Sequence, residues 1–409
     1  MDIKITPSKL KGTVNIPSSK SMTHRMLICA SLAKGKSVIS NISFSKDIYA
    51  TIDAMKALGA EISISGNTVT VNGISSKASN ADIDCCESGS TLRFLIPISC
   101  ALGTKAAYFG EGRLPERPIT PYIRELTKKG IGFEYNNTMP FITKGQLKSG
   151  KFELEGNISS QFITGLMFAL PLLEGDSEIV MLSPLESKPY ADMTVKCLEN
   201  FGVTVSETKN GYFIKGNQSY SPRNMPVEGD YSQAAFFYVA NMLGNDVEIL
   251  NLDSNSYQGD KKIVEIIENL CYNDKWPVGF NINAMDIPDL VPVLAVLGTF
   301  CQGMSKINGA QRLKIKESDR LKSTSDALNN LGGNVEVTND GLNIYHADLT
   351  GGIADSCGDH RIAMSDAIAA TICSQPVIIK NADAIEKSYP DFFKDYVNLG
   401  GKTDVITLE

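Results

Sequence analysis

Histidine is scarce in this chain: His24, His346 and His360 are the only three in 409 residues, and neither an HExxH nor a CxxC motif occurs. A metal centre built from such ligands has little material. Cys357-x-x-His360 is the one ligand-like spacing and it lacks a second pair, so no metal is expected. Positive charge is in deficit as well, with 39 Lys and Arg against 46 Asp and Glu and a net charge of -7. That balance argues against a broad nucleic-acid footprint, which needs a basic surplus, and leaves room for a small anion held by a local cationic cluster. Long hydrophobic runs are also missing. The most apolar stretch, Ile287 to Phe300, is 14 residues long and holds Asp289 and two prolines, and the N-terminal MDIKITPSKLKGTVNIP has no apolar signal region. A cytoplasmic protein with no membrane partner is the expectation. The nine cysteines are odd in number and include adjacent Cys85 and Cys86, a poor disulfide framework, so reduced thiols are expected. With 43% hydrophobic and 21% charged residues the chain reads as globular, and at roughly 150 residues per domain it should form two or three domains.

What the chain does contain is a repeat. A surface-type helix ending near Gly and running into two alternating strands recurs as IYATIDAMKALGAEISISGNTVTVNG from Ile48, then from Pro121, Met193, Lys261 and Ser323, and in truncated form from Phe392. Between these copies lies an apolar helix with a polar or charged opening. The openings fall at Ser19, Ser88, Ser159, Asp230, Pro288 and Asp359, separated by 69, 71, 71, 58 and 71 residues. Each unit reads as strand, buried helix, strand, surface helix and hairpin, in two groups of three. The expected lobes are 16–227, and 1–15 with 228–409, with crossovers near 13–17 and 226–230.

Helix N-termini offer unpaired N–H groups and a partial positive charge, so the openings of the buried helices are candidate anion sites. For any one opening residue, N-cap duty alone is a sufficient explanation. The case for a ligand comes from repetition with added cations. Lys20 and Ser21 fall in the first turn of a helix, and Arg25 lies one turn beyond Ser21. Gly89 and Arg93 are followed by Arg117, whose proline neighbour biases it to extended backbone. Ser159, Ser160 and Gln161 precede FITGLMFALPLL, with Ser187 downstream in SKPY. Asp289 stands ahead of a very apolar helix, where desolvation would raise its pKa and cap duty would lower it. Lys316 and Arg320, four apart in KESDR, can share one helical face as an anion clamp, although such a charge run is more often a solvated surface. Arg361 and Lys387 add two cations. Together these predict a small polyanionic substrate.

The motifs resemble those of the 5-enolpyruvylshikimate-3-phosphate synthase family. SKSMTHR resembles the family's SKS-x-x-x-R, ERPI its RPM/RPI, SSQF and SKPY stand unchanged, and IPDL, KESDR, DHRIAM and EKSYPDFF follow in family order along nearly the whole chain. The resemblance implies an α/β fold of two lobes, each of three βαβαββ units in an inside-out barrel, with helix N-termini facing the interdomain cleft. It implies transfer of the enolpyruvyl group of phosphoenolpyruvate to the 5-hydroxyl of shikimate 3-phosphate, with release of phosphate through a tetrahedral intermediate and no metal or organic cofactor. Carried over by motif, the shikimate-phosphate contacts are Lys20, Ser21, Arg25, Ser159, Ser160, Gln161, Ser187, Asp289 and Lys316. Those to phosphoenolpyruvate are Lys20, Gly89, Arg117, Gln161, Arg320, Arg361 and Lys387. Asp289 is implied as proton acceptor, Glu317 as the partner in proton transfer at the enol carbon, and Lys20 as a stabiliser of charge on the bridging oxygen and phosphate. The implied partners are these two small molecules, with no nucleic acid, and the protein is expected to be a monomer.

Two positions depart from the family pattern: Glu87 in CESGS replaces the usual Asn, and Arg312 stands where Asn is frequent. The alternatives are an enolpyruvyl transferase with another acceptor such as a UDP-aminosugar, from which SKS and the missing loop cysteine separate this chain, or a non-catalytic anion-binding protein.

Overall fold

The computed structural model describes residues 1–271 and 277–406. The chain forms two compact units, one of residues 18–228 and one of residues 1–17 with 229–409. Each has its own apolar core.

In the 18–228 unit three buried helices, α1 (Lys20–Leu32), α3 (Gly89–Leu102) and α5 (Ser160–Ala169), alternate with three surface helices, α2 (Lys46–Ala57), α4 (Thr120–Thr127) and α6 (Lys188–Asn200). The other unit repeats the pattern with buried α7 (Tyr231–Met242), α9 (Val291–Phe300) and α11 (His360–Ala369) and surface α8 (Lys262–Cys271), α10 (Arg320–Asn330) and α12 (Phe392–Asn398). The buried helices are enclosed by sheets and helices, so even Thr23, His24 and Arg25 of α1 and Asp366 of α11 are buried, and in α9 every residue but Phe300 is buried.

The sheets show why a buried helix follows the first strand of each repeat. Strand Asn80–Asp84 pairs in parallel with Lys105–Phe109, so α3 must cross over between them. Phe141–Lys144 then pairs antiparallel with Lys105–Phe109 and with Gly132–Glu134, closing a hairpin. Among the described residues five four-stranded sheets combine a parallel pair with antiparallel strands in this way, and a sixth sheet is a single parallel pair. Segments distant in sequence complete three of the repeats, and in one of them Lys11–Asn15 is the parallel partner of Asp246–Leu250. Asn224–Pro226 supplies the parallel strand beside Lys36–Ser40, and Asp2–Thr6 lies between Val377–Lys380 and Lys402–Ile406. The turn of the fourth copy of the surface-helix phrase, residues 272–276, lies outside the described residues.

Five of the six openings are N-caps. The side chains of Ser19, Ser88, Ser159, Asp230 and Asp359 each accept a backbone N–H from the first turn of α1, α3, α5, α7 and α11. The sixth differs from the expectation of a helix starting at Pro288. Residues Pro288–Leu290 form a 3-10 turn and α9 begins at Val291. Pro292 has no N–H to return to the Pro288 carbonyl, so the Val291 N–H bonds it instead and tightens the first turn. Close packing fixes α3 against α5: a Cβ on Gly165 would lie 2.2 Å from Tyr122 Oη and 2.3 Å from the Arg93 carbonyl. That absence of a side chain lets the Tyr122 hydroxyl donate to both the Arg93 and Phe162 carbonyls at 2.8 Å.

Candidate functional site

In the 18–228 unit the helix starts are wired together by buried polar side chains. Arg25, on α1, donates from Nε to Thr194 Oγ1 at 2.9 Å, from Nη1 to the Ser21 carbonyl at 2.7 Å and from Nη2 to the Tyr190 carbonyl at 2.9 Å. It therefore ties the SKS opening to the SKPY segment, where Ser187 is buried in a left-handed conformation with φ of 55°. Burial pushes the Arg25 guanidinium down to about 10, which leaves it charged at neutral pH. Lys20 pairs with Asp47 at 3.0 Å. A second chain joins α1 to α3: His24 Nδ1 to Thr51 Oγ1 at 2.7 Å, Thr51 to Thr91 at 2.7 Å, and Thr91 to Ser88 at 2.8 Å. Burial, and then Lys20 and Arg25, hold His24 well below its usual pKa, so it acts in this chain as a neutral ring.

The α3 and α5 starts are linked by Arg93, which donates to Gln161 Oε1 at 2.7 Å while Gln161 Nε2 donates to Ser90 Oγ at 2.9 Å. The amide is thereby held in one orientation. Arg117 and Gly89 are brought together closely. A Cβ on Gly89 would lie 2.7 Å from Arg117 Nη1 and 2.9 Å from Nη2, so the guanidinium sits directly over the first residue of α3. Cation and helix dipole thus point at the same place. Glu87 is turned toward the next loop, with its carboxylate where a Cβ on Gly112 would be, at 2.4 Å.

In the other unit carboxylates surround the cations. Arg320 is 2% exposed and binds three of them, Asp359 through Nε at 2.7 Å, Asp289 through Nη1 at 2.8 Å and Glu317 through Nη2 at 2.7 Å. Arg361 Nη2 takes the second oxygen of Asp289 at 2.9 Å. Burial pushes the Asp289 carboxyl up, but Arg361, Arg320 and Lys316 outweigh it and hold the group well below the usual carboxylate range, against an upward push from Glu317. Asp289 caps no helix. The expected rise from desolvation is therefore reversed by two guanidiniums that spacing alone did not reveal.

A second correction concerns KESDR. Lys316 and Arg320 share no helical face, because Gln311–Ile315 is a 3-10 turn, Lys316 is extended, and Asp319 caps α10 so that the helix begins at Arg320. Lys316 is instead electrostatically coupled to Asp289 and Glu317. Burial lowers its ammonium, these carboxylates raise it, and Arg320 and Arg312 lower it again, to about 8. Arg312 donates to the Met285 carbonyl. Lys387 Nζ donates to the Gly358 carbonyl at 2.7 Å, just before α11.

Four residues that the sequence assigns to neither substrate nor catalysis are tied to the candidate residues in the structure. Asp359, expected as a helix opening and N-cap, does cap α11, and it is also fully buried and fixes Arg320, a pairing its spacing does not signal. Asp47 has no signal beyond its place in the first turn of α2. Arg93 was seen as a helix-start cation with no assigned partner. Asp260, in the 3-10 turn Gly259–Lys261, accepts from Ser232 and is pushed up to about 7 by burial and then by Asp289, with Arg361 opposing. Among the described residues no group of three or more His, Cys, Asp or Glu side chains is arranged to hold a metal ion.

A protein-family model described as EPSP synthase (3-phosphoshikimate 1-carboxyvinyltransferase) matches residues 5–396. A 3-phosphoshikimate 1-carboxyvinyltransferase of Clostridium perfringens is 47% identical over 97% of this chain and 98% of its own length. One from Clostridioides difficile is 45% identical over 98% of both. Among solved structures, the EPSP synthase of Acinetobacter baumannii superposes with a TM-score of 0.83 at 24% identity, covering 99% of this chain and 100% of that one. The enolpyruvyl transferase NikO of Streptomyces tendae does so with a TM-score of 0.77 at 16% identity, covering 98% of each. These two likenesses bear on the fold, and they agree with two sets of three α/β repeats.

Proposed function

This chain belongs to the EPSP synthase family, and from that premise we propose how its residues divide the work. It is an enzyme of the transferase class that moves the enolpyruvyl group of phosphoenolpyruvate to shikimate 3-phosphate, a step of the shikimate pathway toward aromatic amino acids. In the 18–228 unit, Lys20, Ser21, Arg25, Ser159, Ser160, Gln161 and Ser187 bind shikimate 3-phosphate. Lys20, Gly89, Arg117 and Gln161 bind phosphoenolpyruvate. From the other unit, Asp289 and Lys316 serve the first substrate, and Arg320, Arg361 and Lys387 the second.

The reaction runs by addition and elimination. The 5-hydroxyl attacks the central carbon of phosphoenolpyruvate while Asp289 accepts its proton, and Glu317 delivers a proton to the methylene, giving a tetrahedral adduct with a methyl group. Loss of phosphate, assisted by Lys20, and return of one methyl proton to Glu317 yield the enolpyruvyl ether. The observation that supports these roles is the cluster of Asp289, Glu317, Arg320 and Arg361. Two carboxyls able to carry protons stand within ion-pair distance of guanidiniums suited to an anionic substrate. No described helix is long and apolar enough to cross a membrane, and a cytoplasmic monomer is part of the same proposal.

Phosphate release should require both substrates together and fail when either is omitted or when a UDP-aminosugar replaces shikimate 3-phosphate. In heavy water the product's vinyl group should carry deuterium, because the adduct's methyl rotates before a proton leaves. Unlabelled product would exclude the adduct.

A further inference from the structure

Two of the guanidiniums assigned to phosphoenolpyruvate, those of Arg320 and Arg361, are occupied by the enzyme's own carboxylates. Arg320 uses all three of its nitrogens: Nε on Asp359, Nη1 on Asp289 and Nη2 on Glu317, while Arg361 Nη2 holds the other oxygen of Asp289. The three carboxylates are not equivalent. Asp359 is 0% exposed and also accepts the Arg361 backbone N–H and the Ser318 hydroxyl, so it anchors the inner edge of the guanidinium. The Asp289 and Glu317 side chains are 19% and 18% exposed and meet the outer nitrogens. An incoming carboxylate presents the same two-oxygen fork that guanidinium prefers and can replace either one without disturbing the anchored edge.

We propose that Asp289 and Glu317 are internal occupants of the phosphoenolpyruvate carboxylate subsite, and that the substrate's carboxylate displaces them from Arg320 and Arg361. This rests on the assignment of those arginines to phosphoenolpyruvate. The exchange couples binding to chemistry. While the guanidiniums hold Asp289, both its oxygens are engaged and it is a weak base; once the substrate takes the guanidiniums, Asp289 regains basicity and a lone pair for the attacking hydroxyl. The same competition makes the two carboxylates specificity determinants, since an anion too weak to displace them is refused.

The test is titration of phosphoenolpyruvate alone, with no acceptor, into the wild-type protein and the Asp289→Asn, Glu317→Gln and Arg361→Ala variants. Removing an internal competitor should tighten binding at least fivefold in Asp289→Asn, and in the same direction in Glu317→Gln. A gain in affinity is not something a damaged fold produces, and the second variant stands in should the first fail to fold. Arg361→Ala should weaken binding. Unchanged or weaker binding in both carboxamide variants, with binding still lost in Arg361→Ala, overturns the displacement while leaving the site assignment intact. Unchanged binding in Arg361→Ala overturns the assignment and the displacement with it.

Discussion

The two units repeat the same architecture but finish their buried helices differently. In the 18–228 unit the caps are the neutral serines Ser19, Ser88 and Ser159, and of the cations near them Arg25 and Arg93 reach carbonyls, a hydroxyl and an amide while Lys20 pairs with a carboxylate, Asp47. In the other unit two caps are carboxylates, Asp230 and Asp359, and Asp289 stands at the start of α9 between two arginines. A serine cap leaves the helix end its positive partial charge, whereas an aspartate neutralises it and becomes available to hold a guanidinium. One unit is therefore a fixed cradle for anions. The other is a balanced ionic network that can exchange partners and protons. The difference also bears on Asp260, which burial first and then the nearby Asp289 and Asp230 push toward neutrality.

The strongest way to break this comparison is to remove one group from each side. Asp289→Asn should lower kcat by about a hundredfold or more, the usual scale for a positioned base. Ser21→Ala, at the cradle, should raise KM for shikimate 3-phosphate with kcat almost unchanged, and steady-state kinetics separates the two. As a control, Lys262 lies on the exposed side of α8 and pairs with Glu265, so Lys262→Ala should change neither parameter. A kcat loss at Ser21 matching that at Asp289 would mean the units do not divide the work in this way.

Much of the repeat was legible because helix openings, Gly stops and strand alternation are local signals. Ser88 capping α3 and Gly103 closing it in the left-handed region at φ of 73° could be placed from sequence order alone. The ionic network was not legible. Arg320 meets Asp289 and Asp359 from positions 31 and 39 residues away, and no spacing rule spans that distance. KESDR misled for a local reason. A run of charges four apart invites a helical reading, yet Asp319 is a better cap than helix interior, so the helix starts after it. Asp289 stands out in the sequence as a carboxylate ahead of an apolar helix, but its pKa direction depends on partners that only tertiary structure supplies.

A smaller effect sharpens the cradle side. Gly89→Ala would place a methyl group against the Arg117 guanidinium, the far end of a flexible side chain, which can shift by rotamer change. We expect KM for phosphoenolpyruvate to rise about tenfold, roughly 1.4 kcal/mol. The fold and kcat should change little, since α3 keeps its Ser88 cap. A collapse of thermal stability instead would show that Gly89 serves packing rather than the anion.

The smallest expected effect is a matter of pH, and it belongs to the network side. Lys316 has an ammonium lowered to about 8, first by burial, whereas Arg25 across the comparison is lowered only to about 10. If charged Lys316 binds shikimate 3-phosphate, kcat/KM for that substrate should fall as pH rises through about 8. Stability should move the other way. Between about 8 and the ordinary 10.5 the unfolded chain holds the Lys316 proton more tightly than the folded one, so this group's contribution makes the fold more stable as pH rises. Lys316→Arg keeps its charge throughout that range and should remove both trends, moving the basic limb upward. A limb that stays near pH 8 in Lys316→Arg would assign the titration to another group and leave Lys316 out of substrate binding.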